Sequence, residues 1–221
     1  QPSRASAAAS ASSWLRPPLP CPRTVTVVSP PRIRQPGGSS GVPLSAISLA
    51  SAAHTLATSR AAQAEAERLG FRSQLLTTYV EGEAREVARV CAALAKEMAD
   101  SGTPLEPPGC LILGGETTVT VRGQGKGGRN QELALAAALA LEGWERTMVV
   151  SLATDGTDGP TDAAGAVATG STIARARALG LDPIAHLADN DAYPFFAALG
   201  DLIFTGPTNT NVNDLVFIFA L

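Results

Sequence analysis

The sequence predicts an α/β fold, a three-layer-like sandwich around a mixed and substantially parallel sheet. Helical and strand-like segments alternate from about residue 52 to the C-terminus, which is typical of this class. The run Thr147–Ala153 is continuously apolar, as expected of a strand that is covered on both faces. Residues 133–141 are all alanine or leucine, so this helical segment should also be covered on every side.

Four segments are predicted in the first half of the chain: a short strand over residues 54–58, a helix over 60–69, a strand over 71–78 and a helix over 81–99. Gly70 follows the first helix, at the position where glycine commonly ends one. Apolar residues recur at three- and four-residue steps along the second helix and should share its buried face: Val87, Val90, Cys91, Leu94 and Met98. Residues 101–108 contain three prolines and predict a linker.

The second half continues the alternation. Strands are predicted over residues 110–113, 117–122, 147–153, 202–205 and 212–221. Helices are predicted over residues 130–142, 171–179, from Pro183 onward and over 191–199. Asn130, Asp182 and Asp191 stand at the expected helix N-caps, because short polar side chains accept hydrogen bonds from the first free amides.

Composition restricts the function. The 221 residues, 45 % of them hydrophobic, suffice for one sizeable domain or for one domain with part of another. A net charge of −3 argues against a nucleic-acid binder, so small-molecule partners are expected, with a homodimer possible. The chain has no apolar run of membrane-spanning length, and its three cysteines have no metal-ligand spacing. A cytoplasmic protein is the expectation.

Residues 1–50 differ from the rest. They contain five arginines and no acidic residue, and nine of the sixteen prolines precede residue 44. This composition predicts a disordered Ser/Ala/Pro/Arg-rich tail, with residues 24–28 as its one strand-like stretch. An organelle transit peptide and mistranslated upstream sequence are the alternatives.

A first polar run follows the strand over residues 110–113. Gly114, Gly115 and Glu116 lead to a glycine-rich loop and the sequence GGRNQE at residues 127–132. Glycines allow close approach of backbone amides to an anion, and two cations in the loop could neutralise it; the residues concerned are Gly125, Lys126, Gly127, Gly128 and Arg129. The alternative is a flexible hairpin tip with solvated cations. The run also contains GxGxxG, but an alternating strand before it and no acid about twenty residues later argue against a dinucleotide site.

A second run, residues 154–165, places three carboxylates within eight residues: Asp155, Asp158 and Asp162. Such crowding calls for a cation, a helix N-terminus or a shared proton, and Mg²⁺ is one solution. The alternative is an Asp-Gly turn in which the side chains cap their own backbone. Asp155 is the first functional candidate because it lies nearest the strand end.

A third run, residues 205–214, offers hydroxyl and amide groups at Thr208, Thr210 and Asn211. These groups suit a polyhydroxy substrate or a phosphate, and they equally suit a self-bonded turn. Residues 189–191 are interpreted as helix capping with Tyr193 packed beside them, and His186 is interpreted as structural.

Four motifs, in this order, carry a resemblance: GGETTVTVRGQGKGGRNQELALAAALAL, ATDGTDGPTDAAGA, LADNDAYPFFAALGD and TGPTNTNVND. They resemble the C-terminal MOFRL domain of type 2 glycerate kinases. The resemblance implies a MOFRL domain over residues 108–221, preceded over residues 51–107 by the end of the family's larger N-terminal α/β domain. It also implies ATP-dependent phosphorylation of D-glycerate to 2-phosphoglycerate with Mg²⁺.

By the same resemblance Arg129 is the active-site arginine and Lys126 is auxiliary. Asp155 and Asp158 would orient Mg²⁺ or accept the 2-hydroxyl proton, and Glu116 and Asn130 would partner Arg129. The alternatives are an NAD(P)H-dependent hydroxypyruvate reductase and a noncatalytic binding module.

Two departures from the family bear on activity. The missing first half predicts that this chain alone binds glycerate or ATP weakly. Asn209, which stands where the family usually has glycine, predicts a reshaped turn or a left-handed backbone there.

Overall fold

A computed structural model describes residues 44–221, with side chains from residue 53 onward. It contains six helices over the described residues: α1 (Leu44–Arg68), α2 (Ala84–Ser101), α3 (Arg129–Leu141), α4 (Thr172–Ala178), α5 (Pro183–Ala188) and α6 (Ala192–Leu199). Six strands accompany them: β1 (Arg72–Val80), β2 (Gly109–Gly115), β3 (Thr147–Ala153), β4 (Gly165–Thr169), β5 (Leu202–Ile203) and β6 (Asp214–Ala220). The strand expected at residues 24–28 and the tail before residue 44 lie outside the described residues.

One six-stranded sheet has the order β1-β2-β6-β3-β4-β5. β1 and β2 are parallel because α2 connects them as a crossover. The other four pairings are antiparallel, since β6 returns between β2 and β3. The α/β class with a mixed sheet is confirmed, its parallel part being β1 with β2. β1 precedes the expected domain boundary at residues 107 and 108 and β2 follows it, and the two strands are neighbours in this one sheet.

Helices cover both faces of the sheet around β2. Leu111 and Leu113 belong to the large core beneath α2 and α3, while Cys110 and Ile112 pack with Ala66 of α1. This alternation follows from the strand geometry, in which successive side chains point to opposite faces. All seven residues of β2 are buried, as predicted for a covered strand.

The buried face of α2 consists mainly of alanine: Ala84, Ala88, Ala92 and Ala95, together with Cys91 and Met98. The prediction of Cys91 as a core residue is confirmed, and burial raises the pKa of its thiol to about 12, so the thiol stays protonated. The prediction for Val90 is wrong, since this side chain is 61 % exposed. Small side chains let α2 pack against α3, which turns the larger Val90 outward.

Within residues 44–221, two predicted strands are absent, and one observed strand was not predicted. Residues 54–58 lie inside α1, because no glycine or proline interrupts residues 44–69, and the helix also takes in the last residues of the expected tail. Residues 117–122 form one isolated bridge, Glu83 with Thr118, instead of a strand; Val121 is 74 % exposed and has no sheet face to bury. β4 was not predicted from the sequence.

The remaining predicted elements are confirmed with shifted ends. Asp182 caps α5, its Oδ1 accepting hydrogen bonds from the amides of Ile184 and Ala185, and Gly143 follows α3 with a φ of +82°. Among the residues that the structure describes, no helix is both long and apolar enough to cross a membrane.

Candidate functional site

The three polar runs meet at one edge of the sheet. β2 ends at Gly115 and β3 ends at Ala153, and both residues pair with Asp214 at the start of β6. The first and second runs touch, since a Cβ on Gly159 would lie 2.7 Å from the carbonyl oxygen of Gly127. The second and third runs are joined by a 3.1 Å hydrogen bond from the amide of Thr208 to the carbonyl of Asp155. The sequence therefore identifies segments that come together in space.

Arg129 lies where these runs meet, as the first residue of α3. Its Nη1 donates a 2.6 Å hydrogen bond to Oε1 of Glu116, and its Nη2 lies 3.4 Å from Oδ2 of Asp214. Burial disfavours the charged form, but the bond with Glu116 and the charges of Asp214 and Glu116 outweigh burial and raise the pKa of Arg129. The result is a permanently charged guanidinium, 34 % exposed, held between two carboxylates.

Asp158 occupies the N-terminus of α3. Its Oδ1 accepts hydrogen bonds from the backbone and side-chain amides of Asn130 at 3.1 and 3.2 Å, and its Oδ2 accepts one from the amide of Gln131 at 2.8 Å. The side chain is 2 % exposed, and desolvation raises its pKa despite these bonds. The anion expected at this positive helix end is thus one of the chain's own carboxylates.

Residue 128 must be glycine because the carboxylate of Asp158 lies against its Cα. A Cβ there would lie 2.2 Å from Cγ of Asp158, so any larger residue would displace the carboxylate. Gly128 is also the N-cap of α3, which corrects the prediction of Asn130 as the cap. Asn130 instead lies in the first turn, where its Oδ1 accepts a 2.6 Å hydrogen bond from the hydroxyl of Ser151.

Glu132 ends the GGRNQE sequence and is 2 % exposed. Its Oε1 accepts hydrogen bonds from Nε and Nη2 of Arg85 at 2.9 and 2.7 Å, and its Oε2 accepts one from Nδ2 of Asn190 at 2.7 Å. Arg85 belongs to α2, so this buried ion pair ties the segment before residue 108 to the glycine-rich run.

The glycine-rich loop is anchored by residues 189–191, a role that the sequence patterns did not indicate. The amide of Gly123 donates to Oδ1 of Asn190 at 3.1 Å, and that of Lys126 donates to Oδ1 of Asp191 at 2.9 Å. Asn190 adopts a φ of +56°, which asparagine tolerates. Asp191 does stand at the N-cap of α6, but its side chain makes no capping hydrogen bond there. Since these amides are already bonded and residues 117–122 are not a strand, the structure gives no support to a dinucleotide site.

Lys126 points toward α6. Its Nζ lies 4.2 Å from the centre of the Tyr193 ring, a cation–π contact. The hydroxyl of Tyr193 donates a 2.7 Å hydrogen bond to Oδ1 of Asp162, and this bond lowers the pKa of Asp162. The sequence places Tyr193 beside the helix cap and gives no sign of its contact with the loop.

The other candidate residues lie in turns. Oδ1 of Asp155 accepts a 3.0 Å hydrogen bond from the amide of Thr157, and Oδ1 of Asn211 accepts one from the amide of Asn213 at 3.2 Å. The hydroxyl of Thr208 donates to the carbonyls of Thr154 and Thr210. These contacts agree with the self-bonded alternative, and ligand binding by Asp155, Thr208, Thr210 and Asn211 stays a prediction. Asn209 has a φ of +57°, which confirms the left-handed backbone.

The described residues contain no preformed cluster of metal-ligating side chains. Between residues 53 and 221 there is no group of three or more His, Cys, Asp or Glu side chains that could hold a metal ion. Both oxygens of Asp158 are engaged by α3, and Mg²⁺ requires near-octahedral oxygen ligands. Mg²⁺ commonly binds through one or two carboxylates together with water and substrate phosphates, so a role of Asp155 and Asp158 at a magnesium ion stays a prediction.

Asp214 is a functional candidate that the sequence patterns did not single out. It is 5 % exposed, faces Arg129, and desolvation raises its pKa to about 6. The only signal in the sequence is its position directly before the apolar run of residues 215–221.

Residues 109–214 match the model of the MOFRL family. These residues belong to the MOFRL family. The chain is 51 % identical to the D-glycerate 2-kinase of Thermotoga maritima over 155 residues, which cover 70 % of this chain and 37 % of that protein. It is 36 % identical to the glycerate kinase of Bos taurus, covering 72 % of this chain and 38 % of that one.

A crystal structure of the Thermotoga maritima glycerate kinase superposes with a TM-score of 0.74 at 47 % identity. The match covers 76 % of this chain and 40 % of that one. The matched region thus covers 37–40 % of the length of these relatives.

Proposed function

We propose that this MOFRL chain contributes to a glycerate kinase, which transfers the γ-phosphoryl group of ATP to D-glycerate and forms 2-phosphoglycerate. Residues 108–221 would be its MOFRL domain, and residues 51–107 the end of its larger N-terminal domain. The observation that carries the proposal is Arg129, a charged and partly exposed guanidinium at the edge where three polar runs meet. Relatives named glycerate kinases at 36 and 51 % identity support it.

The surroundings of Arg129 would allow a substrate anion to replace the carboxylate of Glu116. Glu116 is 55 % exposed, so an incoming carboxylate or phosphoryl group could replace it at Nη1 at little cost. Asp214 is buried and stays in place on the other side of the guanidinium. A guanidinium presents paired N–H donors that match carboxylate and phosphate oxygens. Arg129 would then hold the glycerate carboxylate or the transferred phosphoryl group.

The other residues have supporting roles in this proposal. Asp158 fixes the start of α3, so that Arg129 projects from a rigid helix end. Lys126 adds a second cation beside Gly127 and Gly128, on the surface that the loop presents. Asp155, half-buried and nearest the end of β3, would accept the 2-hydroxyl proton. Phosphoryl transfer requires mainly positioning and charge stabilisation, which this set can provide.

Kinetics of a full-length relative test the proposal. In a full-length relative that has arginine at the position aligned with Arg129, this arginine is replaced by alanine, and ATP-dependent phosphorylation of D-glycerate is measured. We expect kcat/KM to fall by about 100-fold or more, as for the loss of a donor that stabilises transition-state charge.

The matched control replaces by alanine the residue aligned with Arg122, which in this chain is an exposed side chain of the same loop, and should change kcat/KM less than about threefold. A loss below about tenfold at the first position, roughly 1.4 kcal/mol, rejects Arg129 as a transition-state contact.

A further inference from the structure

A small cavity lies beside the first turn of α3, the helix that begins at Arg129. Its volume is about 10 Å³, and the first turn of α3, the ends of β1 and β2 and the start of β6 line it. Thr117 and Asp214 are in its wall, and they are 3 and 5 % exposed. Such a volume holds one water molecule.

Two polar atoms at this cavity have no hydrogen bond within the described part of the chain. They are Oγ1 of Thr117 and Oδ2 of Asp214. Oδ2 has an ion pair with Nη2 of Arg129 at 3.4 Å, which is longer than an ordinary hydrogen bond. Leaving a buried hydroxyl and a buried carboxylate oxygen unbonded is costly, so native structures almost always provide a partner.

A metal ion suits the cavity less well than water. The rest of the wall is largely apolar, with Val80, Leu133 and Val216, so that a cation would find too few oxygen ligands. Arg129 already supplies a positive charge to Asp214. A water molecule can donate to the carboxylate and accept from the hydroxyl at the same time, which satisfies both atoms.

We propose that one internal water molecule bridges Oγ1 of Thr117 and Oδ2 of Asp214, and that Asp214, fixed in this way, is the positioning residue of Arg129. The water fixes the carboxylate of Asp214 from the cavity side, and the carboxylate in turn positions Nη2 of Arg129. Two neighbouring residues would then position the guanidinium of Arg129: Glu116 directly, and Thr117 through the water and Asp214. The water itself does not depend on the proposed kinase activity.

Crystallography of the full 221-residue chain tests the water directly, with Thr117→Val, Thr117→Ser and, as a matched control, Thr118→Val. Valine has nearly the shape of threonine without the hydroxyl, serine restores it, and Thr118 is exposed. We expect a single peak at hydrogen-bond distance, about 2.6–3.2 Å, from both atoms in the wild type, Thr117→Ser and Thr118→Val, and no peak in Thr117→Val. An empty cavity in the wild type overturns the proposal, as does a peak with several oxygen ligands at about 2.0–2.6 Å, which would be a cation.

Hydrogen exchange of the Arg129 Nε–H, followed by NMR, tests the positioning. A looser guanidinium in Thr117→Val should exchange at least about tenfold faster, with Thr117→Ser and Thr118→Val close to the wild type. Equal exchange rates in all four proteins refute the positioning role. If Thr117→Val does not fold, the wild-type peak still decides the water, and the exchange rate in Asp214→Asn decides the positioning role, which requires exchange at least about tenfold faster than in the wild type.

Discussion

Replacing Asp158 by alanine should strongly destabilise the chain, because Asp158 joins the second polar run to the start of α3. The change removes an acceptor from three donors: the backbone and side-chain amides of Asn130 and the amide of Gln131. A hydrogen bond to a charged group is worth about 1.5–3 kcal/mol, whereas an exposed N-cap is worth about 0.5–2 kcal/mol. The three bonds are not additive, and removing a desolvated carboxylate recovers part of the loss.

The expected decrease in the free energy of unfolding is therefore about 3–4 kcal/mol. Asp158→Asn, which keeps one acceptor oxygen, should cost about 1–2 kcal/mol. Urea unfolding followed by circular dichroism measures both values. Asp155→Ala is the control, because its carboxylate only accepts hydrogen bonds from Thr157 in a turn, and it should cost less than about 1 kcal/mol. Equal costs for Asp158→Ala and Asp155→Ala would refute the capping role.

Two further predictions concern the same region. Gly128→Ala places a Cβ 2.2 Å from Cγ of Asp158, so in urea unfolding it should cost nearly as much as Asp158→Ala. The double variant should cost little more than either single one, and full additivity would contradict this coupling. The pKa of Asp214 is raised from 3.8 to about 6, which corresponds to a contribution to stability of about 3 kcal/mol. This contribution is complete below pH 4 and is lost as the pH rises through 6. The raised pKa of Asp158 acts in the same direction. Asp214→Asn should make the decline of the unfolding free energy between pH 4 and 7 shallower, and an unchanged decline would contradict the raised pKa.

The sequence carried enough information for most of the fold. Continuous apolar runs correctly indicated β2 and β3, and periodic apolar residues indicated α2. Capping chemistry indicated the cap at Asp182, and the glycine usual in the family at position 209 indicated a left-handed backbone at Asn209 as one of two alternatives. Local patterns failed where a neighbour decides the outcome. Residues 117–122 alternate like a strand, yet no strand lies beside them over their length.

The candidate site was predicted as a set of segments but not as a set of contacts. Arg129 was found because it stands in a glycine-rich run before a helix, which is a local signal. Asp214 is 85 residues further along the chain, and only the register of β6 against β2 and β3 brings it to Arg129. Asn190 and Asp191 were likewise interpreted as capping residues. The loop that they anchor is about 65 residues away in the sequence, so no local pattern indicates the contact.

The proposed anion site at Arg129 can be tested on this chain itself by NMR titration with 2-phosphoglycerate. Because the chain spans 37 % of a curated relative, we expect weak, millimolar binding. The expected shifts are at the Arg129 side chain and the amides of Gly127 and Gly128, with none at Gly143 and Trp144 beyond the other end of α3. Shifts confined to Gly143 and Trp144, or identical shifts in Arg129→Ala, would contradict an anion site where the three polar runs meet.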